Sequence, residues 1–408
     1  MSRKIRVPSS QVAIGMCVVE LDRPWLETPF LFQGFTISSS ADIDAVRKYC
    51  QYVFIDPDRS QKTPQPNKPA PESKGGLFKL FQRSAAPEPS VPVEQERKQA
   101  CELYPKQSAL VRNFMDEIRL GRAIDVKILE QGVDDTVESI LRNPNAMLWL
   151  AQMRQKTAAL EQHAMNTCIL AIAFGRYLGL PKEELKKLGL CALVHDFGMV
   201  KVPDAIVRKA GTLTEAEKQE MQKHTEYGRD LLMTVKDLYF GAVDVAHTHH
   251  EWFNGKGYPR GLDSSQLSPF TRIISVVDAY DDMMTEHSYA PARTAYEALK
   301  AIHEGRGSQF DEGLTRYFVE MIGVFPVGSL VELNTGEIAI VISTDRQQPM
   351  RPKLIRVRDY RRQSCREEII ELSALDSDKI KIVRILRNGD YGLDAVALHN
   401  RALNAELP

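Results

Sequence analysis

The chain has 408 residues, of which 43% are hydrophobic and 26% are charged. This length exceeds what one hydrophobic core usually supports, and the composition excludes a largely disordered chain, so we expect two or three folded units. The formal net charge is −1, with 53 basic against 54 acidic residues, so no global charge excess would draw the protein to a nucleic acid polymer or an anionic membrane.

The chain contains no uncharged apolar run long enough to span a membrane, and its beginning lacks the apolar stretch of a secretion signal. Its six cysteines are widely separated and form no Cys-x-x-Cys pair. This spacing is typical of reduced cysteines rather than of a secreted disulfide framework. We therefore expect a cytoplasmic protein without a membrane span.

The first segment, residues 1–56, alternates short apolar runs with turn residues, as in KIRV, MCVVEL and YVFID. This alternation predicts a small β-rich module with several strands. Residues 57–97 are rich in Pro, Ser, Lys and Gln and contain one apolar island, GLFKLF. They predict a flexible linker, because so little apolar surface cannot offset the entropy lost on ordering.

Residues 98–325 carry apolar side chains at helical spacing and predict a multi-helix domain. After Pro326 the pattern changes to period-two alternation around an Asn-Thr-Gly-Glu turn, which predicts a small β unit over residues 326–374. Residues 375–408 are predicted to form a polar C-terminal tail. The expected fold class is therefore mainly α, with a small β-rich module before the helical domain and a small β unit after it.

All nine histidines except His399 fall within the predicted helical domain. Five of them lie with two aspartates in motif-like surroundings: His163, His195, His224, His249, His250, Asp196 and Asp278. Imidazole and carboxylate together suit Fe, Mn, Ni or Zn, whereas an all-oxygen set would favour Mg or Ca. The set predicts a pair of transition-metal ions that share Asp196. Such a pair assists phosphodiester cleavage, since it binds phosphate oxygens and lowers the pKa of a bound water.

Each of these features has a structural interpretation when it stands alone. A single histidine on a helix is more often a core or surface residue than a ligand, and we assign that role to His247 and His303. An isolated His-Asp dipeptide such as His195-Asp196 is weak evidence, because two-residue patterns arise by chance. The prediction of a metal site therefore depends on the combination.

The loop His249–Leu262, HHEWFNGKGYPRGL, is more specific. Its glycines permit backbone conformations that other residues avoid, and Tyr258-Pro259 adds a stacking surface with one fixed φ angle. By itself NGKGYP is a tight turn. Next to two histidines, it is better interpreted as a lip that binds a base or ribose.

Six ordered blocks together resemble the HD-GYP family, a branch of the HD metal-dependent phosphohydrolases that hydrolyses cyclic di-GMP. They run from about Glu161 to Leu314 and read EQHAMNT, LVHDFG, MQKHTEYG, HHEWFNGKGYPRGL, VVDAYDDMMT and GSQFDEGL. Residues 3–56 look like the small domain of unknown function that precedes HD-GYP in many bacterial proteins.

The resemblance implies two divalent metal ions, Fe or Mn foremost, with Ni or others as alternatives. One ion would be held by His163, His195, Asp196 and Asp278, and the other by Asp196, His224, His249 and His250. A hydroxide bridging the ions would attack phosphorus in line, with His195 and Asp196 at the catalytic centre. The products would be linear pGpG and, after a second cut, GMP.

The resemblance also implies the substrate contacts. Tyr258 would touch cyclic di-GMP, with Gly257 and Pro259 beside it, and Lys201 is a further candidate. Glu251 would orient a ligand imidazole through its distal nitrogen. Diguanylate cyclase (GGDEF) domains are candidate partners of the same loop.

The sequence departs from the family where substrate anions are usually held. Met199 stands in place of a lysine, and His287 and Ala290 stand in place of an arginine and another basic residue. Ala159 replaces the carboxylate of three-metal members, which favours a two-metal site. We expect a working, slow phosphodiesterase. The alternatives are an inactive or weakly active dinucleotide receptor or adaptor, and an enzyme for another phosphodiester or nucleotide.

Overall fold

The computed structural model describes residues 4–23, 28, 35–37, 40–57, 60, 88–120, 122, 125–152, 160–286, 292–344, 348–375 and 379–404. The described residues form a small N-terminal sheet, a large helical part and a C-terminal antiparallel sheet, which confirms the expected fold class. Among the described helices, none combines the length and hydropathy that a bilayer crossing requires.

The N-terminal module is a four-stranded antiparallel sheet with one helix. Its elements are β1 (Ile5–Pro8), β2 (Cys17–Leu21), β3 (Phe35–Thr36), α1 (Ser40–Tyr49) and β4 (Tyr52–Asp56), and the strand order is β1-β4-β2-β3. Val18, Val46 and Val53 are among the residues of a core that is separate from that of the helical part. The module therefore has its own hydrophobic interior.

The helical part surrounds one large core. Its helices are α2 (Val93–Arg119), α3 (Val126–Arg142), α4 (Pro144–Ala151), α5 (Leu160–Tyr177), α6 (Lys182–Val194), α7 (Asp204–Val207), α8 (Glu215–Gln222), α9 (His224–Met233), α10 (Phe240–Thr248), α11 (Pro269–Met284), α12 (Ala295–Glu304) and α13 (Glu312–Ile322). A 3-10 turn, Phe197–Lys201, lies between α6 and α7.

Helix α2 begins at Val93, inside the segment predicted as a linker, while residues 61–87 of that segment lie outside the described residues. The early start has a tertiary cause. Glu96 is buried and accepts hydrogen bonds from Ser139 Oγ at 2.7 Å and from Arg142 Nε at 2.7 Å. These partners on α3 are far away in sequence, so local composition did not indicate the helix.

Side-chain caps fix where several helices begin. Thr214 and Glu217 form the reciprocal capping box that their spacing predicts at the start of α8. At the start of α11, Ser268 Oγ accepts a hydrogen bond from Thr271 N at 3.1 Å, and Pro269 occupies the first turn. The cap sets the start of the helix that carries Asp278.

The C-terminal sheet has the order β8-β7-β6-β5-β9. Its strands are β5 (Leu330–Leu333), β6 (Ile338–Ser343), β7 (Lys353–Arg358), β8 (Ser364–Glu371) and β9 (Ile382–Leu386), and helix α14 (Ala395–Asn404) follows. Ile338, Ile340 and Ile342 on one face of β6 join the main core, whereas Ala339 and Val341 on the other face join a second cluster. The sheet thus shares its interior with the helices.

The predicted polar tail over residues 375–408 is wrong. Strand β9 pairs with β5, and α14 buries Leu398 in the main core. His399 Nδ1 accepts a hydrogen bond from Trp149 Nε1 at 2.7 Å, and Arg97 donates to the carbonyl of Ala402 at 2.6 Å. These buried polar contacts order a segment that is polar in composition.

Candidate metal centre

The structure brings all seven predicted ligands together in two adjoining groups. The first group is His163, His195 and Asp278, and the second is Asp196, His224, His249 and His250. Within each group, one donor atom per residue lies within 4.8 Å of the others. Asp196 spans the two groups, with Oδ2 at 3.9 Å from His163 Nε2 and Oδ1 at 3.2 Å from His224 Nε2.

The ligands converge because several helices end at the same place. His163 lies within α5, and Asp278 lies within α11, which packs against α5. His195 directly follows α6, His224 is the first residue of α9, and His249 directly follows α10. The site is therefore built from five separate stretches of chain.

A glycine permits the closest of these approaches. A Cβ atom on Gly198 would lie 1.9 Å from His224 O and 2.4 Å from Gly228 N, so only glycine fits there. The 3-10 turn after Asp196 can therefore lie directly against the beginning of α9. This close packing places the imidazole of His224 beside the carboxylate of Asp196.

Three ligand imidazoles are oriented by backbone carbonyls. His195 Nδ1 donates to Ala192 O at 2.7 Å, and His224 Nδ1 donates to Met221 O at 2.7 Å. His249 Nδ1 lies 3.1 Å from the carbonyls of residues 245 and 246. A carbonyl only accepts, so Nδ1 carries the proton and the lone pair of Nε2 faces the cluster. A metal ligand requires this tautomer.

His163 has a different partner, which the sequence did not reveal. Its Nδ1 donates to Asp281 Oδ2 at 2.8 Å, and its Nε2 lies 3.0 Å from Asp278 Oδ1. Asp281 is fully buried. The available signal was the spacing Asp278-x-x-Asp281, which places both carboxylates on one face of α11.

The site has donors without partners and two ionised carboxylates. Among the described residues, His195 Nε2 and Asp196 Oδ1 are buried and have no hydrogen-bond partner. Burial alone would raise the pKa of Asp196, but His224, His249 and His195 lower it overall. Burial would likewise raise the pKa of Asp278, and the neighbouring imidazoles of His163 and His195 hold it well below its ordinary value. Anionic oxygens beside unpaired imidazole nitrogens fit divalent cations.

His250 completes the second group and is held in its neutral form. Burial lowers its pKa well below the ordinary value, and the neighbouring His249 and His224 lower it further. Tyr258 stacks on this imidazole, with ring centroids 4.8 Å apart and an interplanar angle of 26°. The Tyr258 amide also donates to His250 O at 3.2 Å.

The rest of the glycine loop is held tightly against the same segment. A Cβ atom on Gly257 would lie 2.3 Å from Trp252 N, so the backbone can pass there only as glycine. Pro259 follows a cis peptide bond. Gly257 and Pro259 flank Tyr258, which lies at the edge of the second ligand group.

The prediction that Glu251 orients a ligand imidazole is wrong. Its carboxylate is buried and accepts hydrogen bonds from the amides of Arg260 at 2.6 Å and Leu262 at 2.9 Å. Glu251 therefore fixes the end of the loop, while backbone carbonyls orient the imidazoles of His195, His224 and His249. Sequence proximity to His250 suggested the wrong partner.

Lys201 ends the 3-10 turn that follows Asp196. It is exposed and lines a surface cleft with Tyr227, Asp230, Leu231 and Thr234, none of which is a predicted ligand. Met199 is half-buried in the turn that follows Asp196. Ala159, His287 and Ala290 lie outside the described residues. His247 belongs to neither ligand group and lies 3.3 Å from Arg229 Nη1 through its Nε2.

Helix α2 also reaches the centre. The ring of Phe114 lies 5.3 Å from that of Phe197, the residue after Asp196. Arg112 Nε donates to Glu161 Oε1 at 3.0 Å, two positions before His163. One helix thus touches two of the ligand-bearing segments.

Comparisons with known proteins agree with this architecture. Residues 148–314 match the HD domain, residues 4–128 match a domain of unknown function (DUF3391), and residues 330–392 match the KOW domain associated with the HD domain. The helical fold and its histidine–aspartate centre thus define an HD-domain protein. The DUF3391 match, over residues 4–128, includes the whole of α2.

The chain is 33% identical over 352 residues to the cyclic di-GMP phosphodiesterase PA4108 of Pseudomonas aeruginosa, covering 86% of this chain and 84% of that protein. It belongs to the HD-GYP family of phosphodiesterases, as the six sequence blocks indicate.

Other relatives match over shorter lengths. The cyclic di-GMP phosphodiesterase response regulator RpfG of Xanthomonas campestris is 35% identical over 136 residues, which cover 33% of this chain and 36% of that protein. The 3'3'-cGAMP-specific phosphodiesterase 2 of Vibrio cholerae is 30% identical over 159 residues, which cover 39% of this chain and 30% of that protein. The solved structure of Bd1817, an HDGYP protein from Bdellovibrio bacteriovorus, aligns with a TM-score of 0.47 at 16% identity and covers 78% of this chain and 98% of that one.

Proposed function

We propose that this protein hydrolyses cyclic di-GMP to linear pGpG, to GMP, or to both in a metal-dependent reaction. The observation that carries the proposal is the convergence of seven donor residues in two groups around the carboxylate of Asp196. The names of two relatives with which the chain aligns, including the one that it matches over most of its length, specify cyclic di-GMP.

The ligand roles follow from the two groups. His163, His195 and Asp278 would hold one divalent ion, and His224, His249 and His250 would hold the other, with Asp196 serving both. Iron or manganese suits this mixture of imidazole and carboxylate donors. When bound, the ions would neutralise phosphate charge and activate water for attack on phosphorus.

The chain's own residues would position the dinucleotide. Tyr258, held against His250 by stacking, offers a flat surface for a base or ribose, and Gly257 and Pro259 complete this lip. Among the described residues, no Lys or Arg side chain hydrogen-bonds to any of the seven ligands. We therefore expect slow turnover. We also propose the outer face of the loop, where Trp252, Lys256 and Arg260 are exposed, as the contact for diguanylate cyclase domains.

The decisive experiment measures metal and product together. The protein is purified anaerobically, its bound metal is counted, and the release of pGpG and GMP from cyclic di-GMP is followed over time. About two metal ions per chain with steady product release would support the proposal. Full metal and tight dinucleotide binding without product would contradict it and would identify a receptor.

The double variant His195→Ala/Asp196→Ala tests the site itself. It removes a ligand from the first group and the ligand shared by both, so product release should fall to background while the helices stay folded. The matched control is His247→Ala, two positions before the ligand His249 and outside both groups. Wild-type activity in the double variant, or an equal loss in the control, would contradict the assignment.

A further inference from the structure

His163 differs from His195, His224 and His249 in the acceptor that its Nδ1 atom faces. The Nδ1 atoms of His195, His224 and His249 face backbone carbonyls of their own helical turns. The Nδ1 of His163 instead faces the carboxylate of Asp281, on another helix, at 2.8 Å. Its orientation is therefore set by a charged side chain across the interface of α5 and α11.

The second nitrogen of His163 has a competing acceptor. Its Nε2 lies 3.0 Å from Asp278 Oδ1, so Asp278 stabilises the tautomer that carries the proton on Nε2. That tautomer has no lone pair on Nε2 to offer a metal ion. Asp281 stabilises the opposite tautomer, in which Nδ1 carries the proton and Nε2 is free.

Burial makes this contact strong and specific. Asp281 is 0% exposed and lies one helical turn after Asp278 on the same face of α11. A carboxylate buried in this way must be compensated by a partner, and the imidazole of His163 supplies one. The carboxylate also makes the imidazole a more basic ligand and adds negative charge behind the first metal position.

We propose that Asp281 is a positioning residue that acts through His163 to hold a metal ion in the first group. The proposal rests on the proposed function insofar as the two groups are metal sites. Asp281 touches neither the substrate nor the metal ion. Its effect is to select the tautomer and the basicity of His163, so its loss should weaken one of the two metal positions and spare the other.

The test compares two substitutions with a control. Asp281→Asn keeps an acceptor oxygen but removes the charge, whereas Asp281→Leu removes both. Asp282→Asn is the matched control, because it makes the same charge change one residue later at an exposed position. Each protein is stripped of metal and titrated with Co²⁺ against a competing chelator, and bound metal and the Co²⁺ absorption spectrum are recorded.

One of the two equivalents of Co²⁺ should bind about 10- to 100-fold more weakly in the Asp281 variants, as is usual when an outer-shell partner of a ligand is lost. The loss should be greater for Leu than for Asn, and the spectrum of that equivalent should shift. Asp282→Asn should bind both equivalents as the wild type does. Thermal unfolding of the metal-free proteins shows whether each variant folds. If Asp281→Leu does not fold, Asp281→Asn alone tests the proposal.

Wild-type Co²⁺ affinity and spectrum in Asp281→Asn, together with lowered stability of the metal-free protein, would show a purely structural role and overturn the proposal. Equal weakening of both equivalents would overturn it as well. The outcome is independent of catalysis. A wild-type protein that binds two ions but releases no product would refute the proposed function and leave the role of Asp281 standing.

Discussion

Burial and neighbouring charges together set the protonation state of Asp196, Asp278 and His250 in the candidate metal centre. Asp196 and Asp278 remain ionised because imidazoles surround them, and the pKa of His250 is depressed because burial and two neighbouring imidazoles disfavour its charged form. Asp196 and Asp278 therefore offer anionic oxygens and His250 offers a neutral nitrogen, which are the donor types that divalent ions accept.

Substitution of Met199 by lysine tests whether the absence of a cation at this position limits the rate of hydrolysis. Met199 follows Asp196 by three residues, where the family resemblance implies a lysine, and its side chain is half-buried in the turn beside the predicted ligands. Loss of one donor to developing charge costs about 10² to 10³ in rate, so Met199→Lys should raise kcat by about tenfold or more.

The measurement is steady-state release of pGpG, with metal content checked in parallel. Met233→Lys is the matched control, since it adds the same charge at a side chain that is 65% exposed on α9. An unchanged or lower kcat in Met199→Lys at full metal content would show that this position does not face the reacting phosphate.

At the residue scale, the sequence indicated which seven side chains lie together but not which residues support them. All seven donors stand in short ordered motifs, so their identity could be inferred before their positions were known. The role of Asp281 depends on His163, 118 positions away, and the partners of Glu251 are backbone amides. The spacing of Asp278 and Asp281 indicates a shared helix face but not the distant partner, so the first contact was missed. Backbone amides leave no pattern in the sequence, so the second contact was assigned wrongly.

At the scale of elements, the centre depends on the contact between the 3-10 turn and α9. Gly198→Ala would place a methyl group 1.9 Å from the carbonyl oxygen of His224, so the helix must move. Overpacking of this kind costs about 1 to 3 kcal/mol of unfolding free energy. We expect that loss together with weaker metal binding in the second group, because His224 moves away from Asp196.

Chemical denaturation and metal titration check this prediction. The control is Gly313→Ala, where the new Cβ would meet only Asp311 Oδ1 at 3.4 Å. A Gly198→Ala protein with wild-type stability and two tightly bound ions would show that the contact is not needed.

Element boundaries were predictable where the signals are local. The capping box of Thr214 and Glu217 was confirmed at the start of α8. The C-terminal strand and helix were not predicted, because β9 is ordered by pairing with β5 and α14 by burial against the helical part. The start of α2 depends in the same way on the buried contact between Glu96 and α3.

At the scale of the whole molecule, the C-terminal helix closes onto the helical part through a buried histidine. His399 accepts a hydrogen bond from Trp149, and burial lowers its pKa from 6.5 to about 4. The unfolded chain therefore takes up this proton below pH 6.5, whereas the folded chain resists it until about pH 4. The stability that this histidine contributes is present above pH 6.5 and is lost as the pH falls toward 4.

His399→Gln should remove this dependence, since glutamine can still accept from Trp149 but does not titrate. Between pH 7 and 4, the free energy of unfolding of the metal-free wild type should fall by about 3 kcal/mol more than that of the variant. Denaturant unfolding at several pH values measures the difference, and other titrating groups cancel in it. Parallel curves for the two proteins would contradict the prediction.

Helix α2 belongs by sequence to the DUF3391 match but packs against the HD domain. It falls within the residues that match DUF3391, yet Phe114 and Arg112 touch segments that carry metal ligands. The residues that match DUF3391 and the segments that carry the predicted ligands are therefore joined by direct side-chain contacts of one helix.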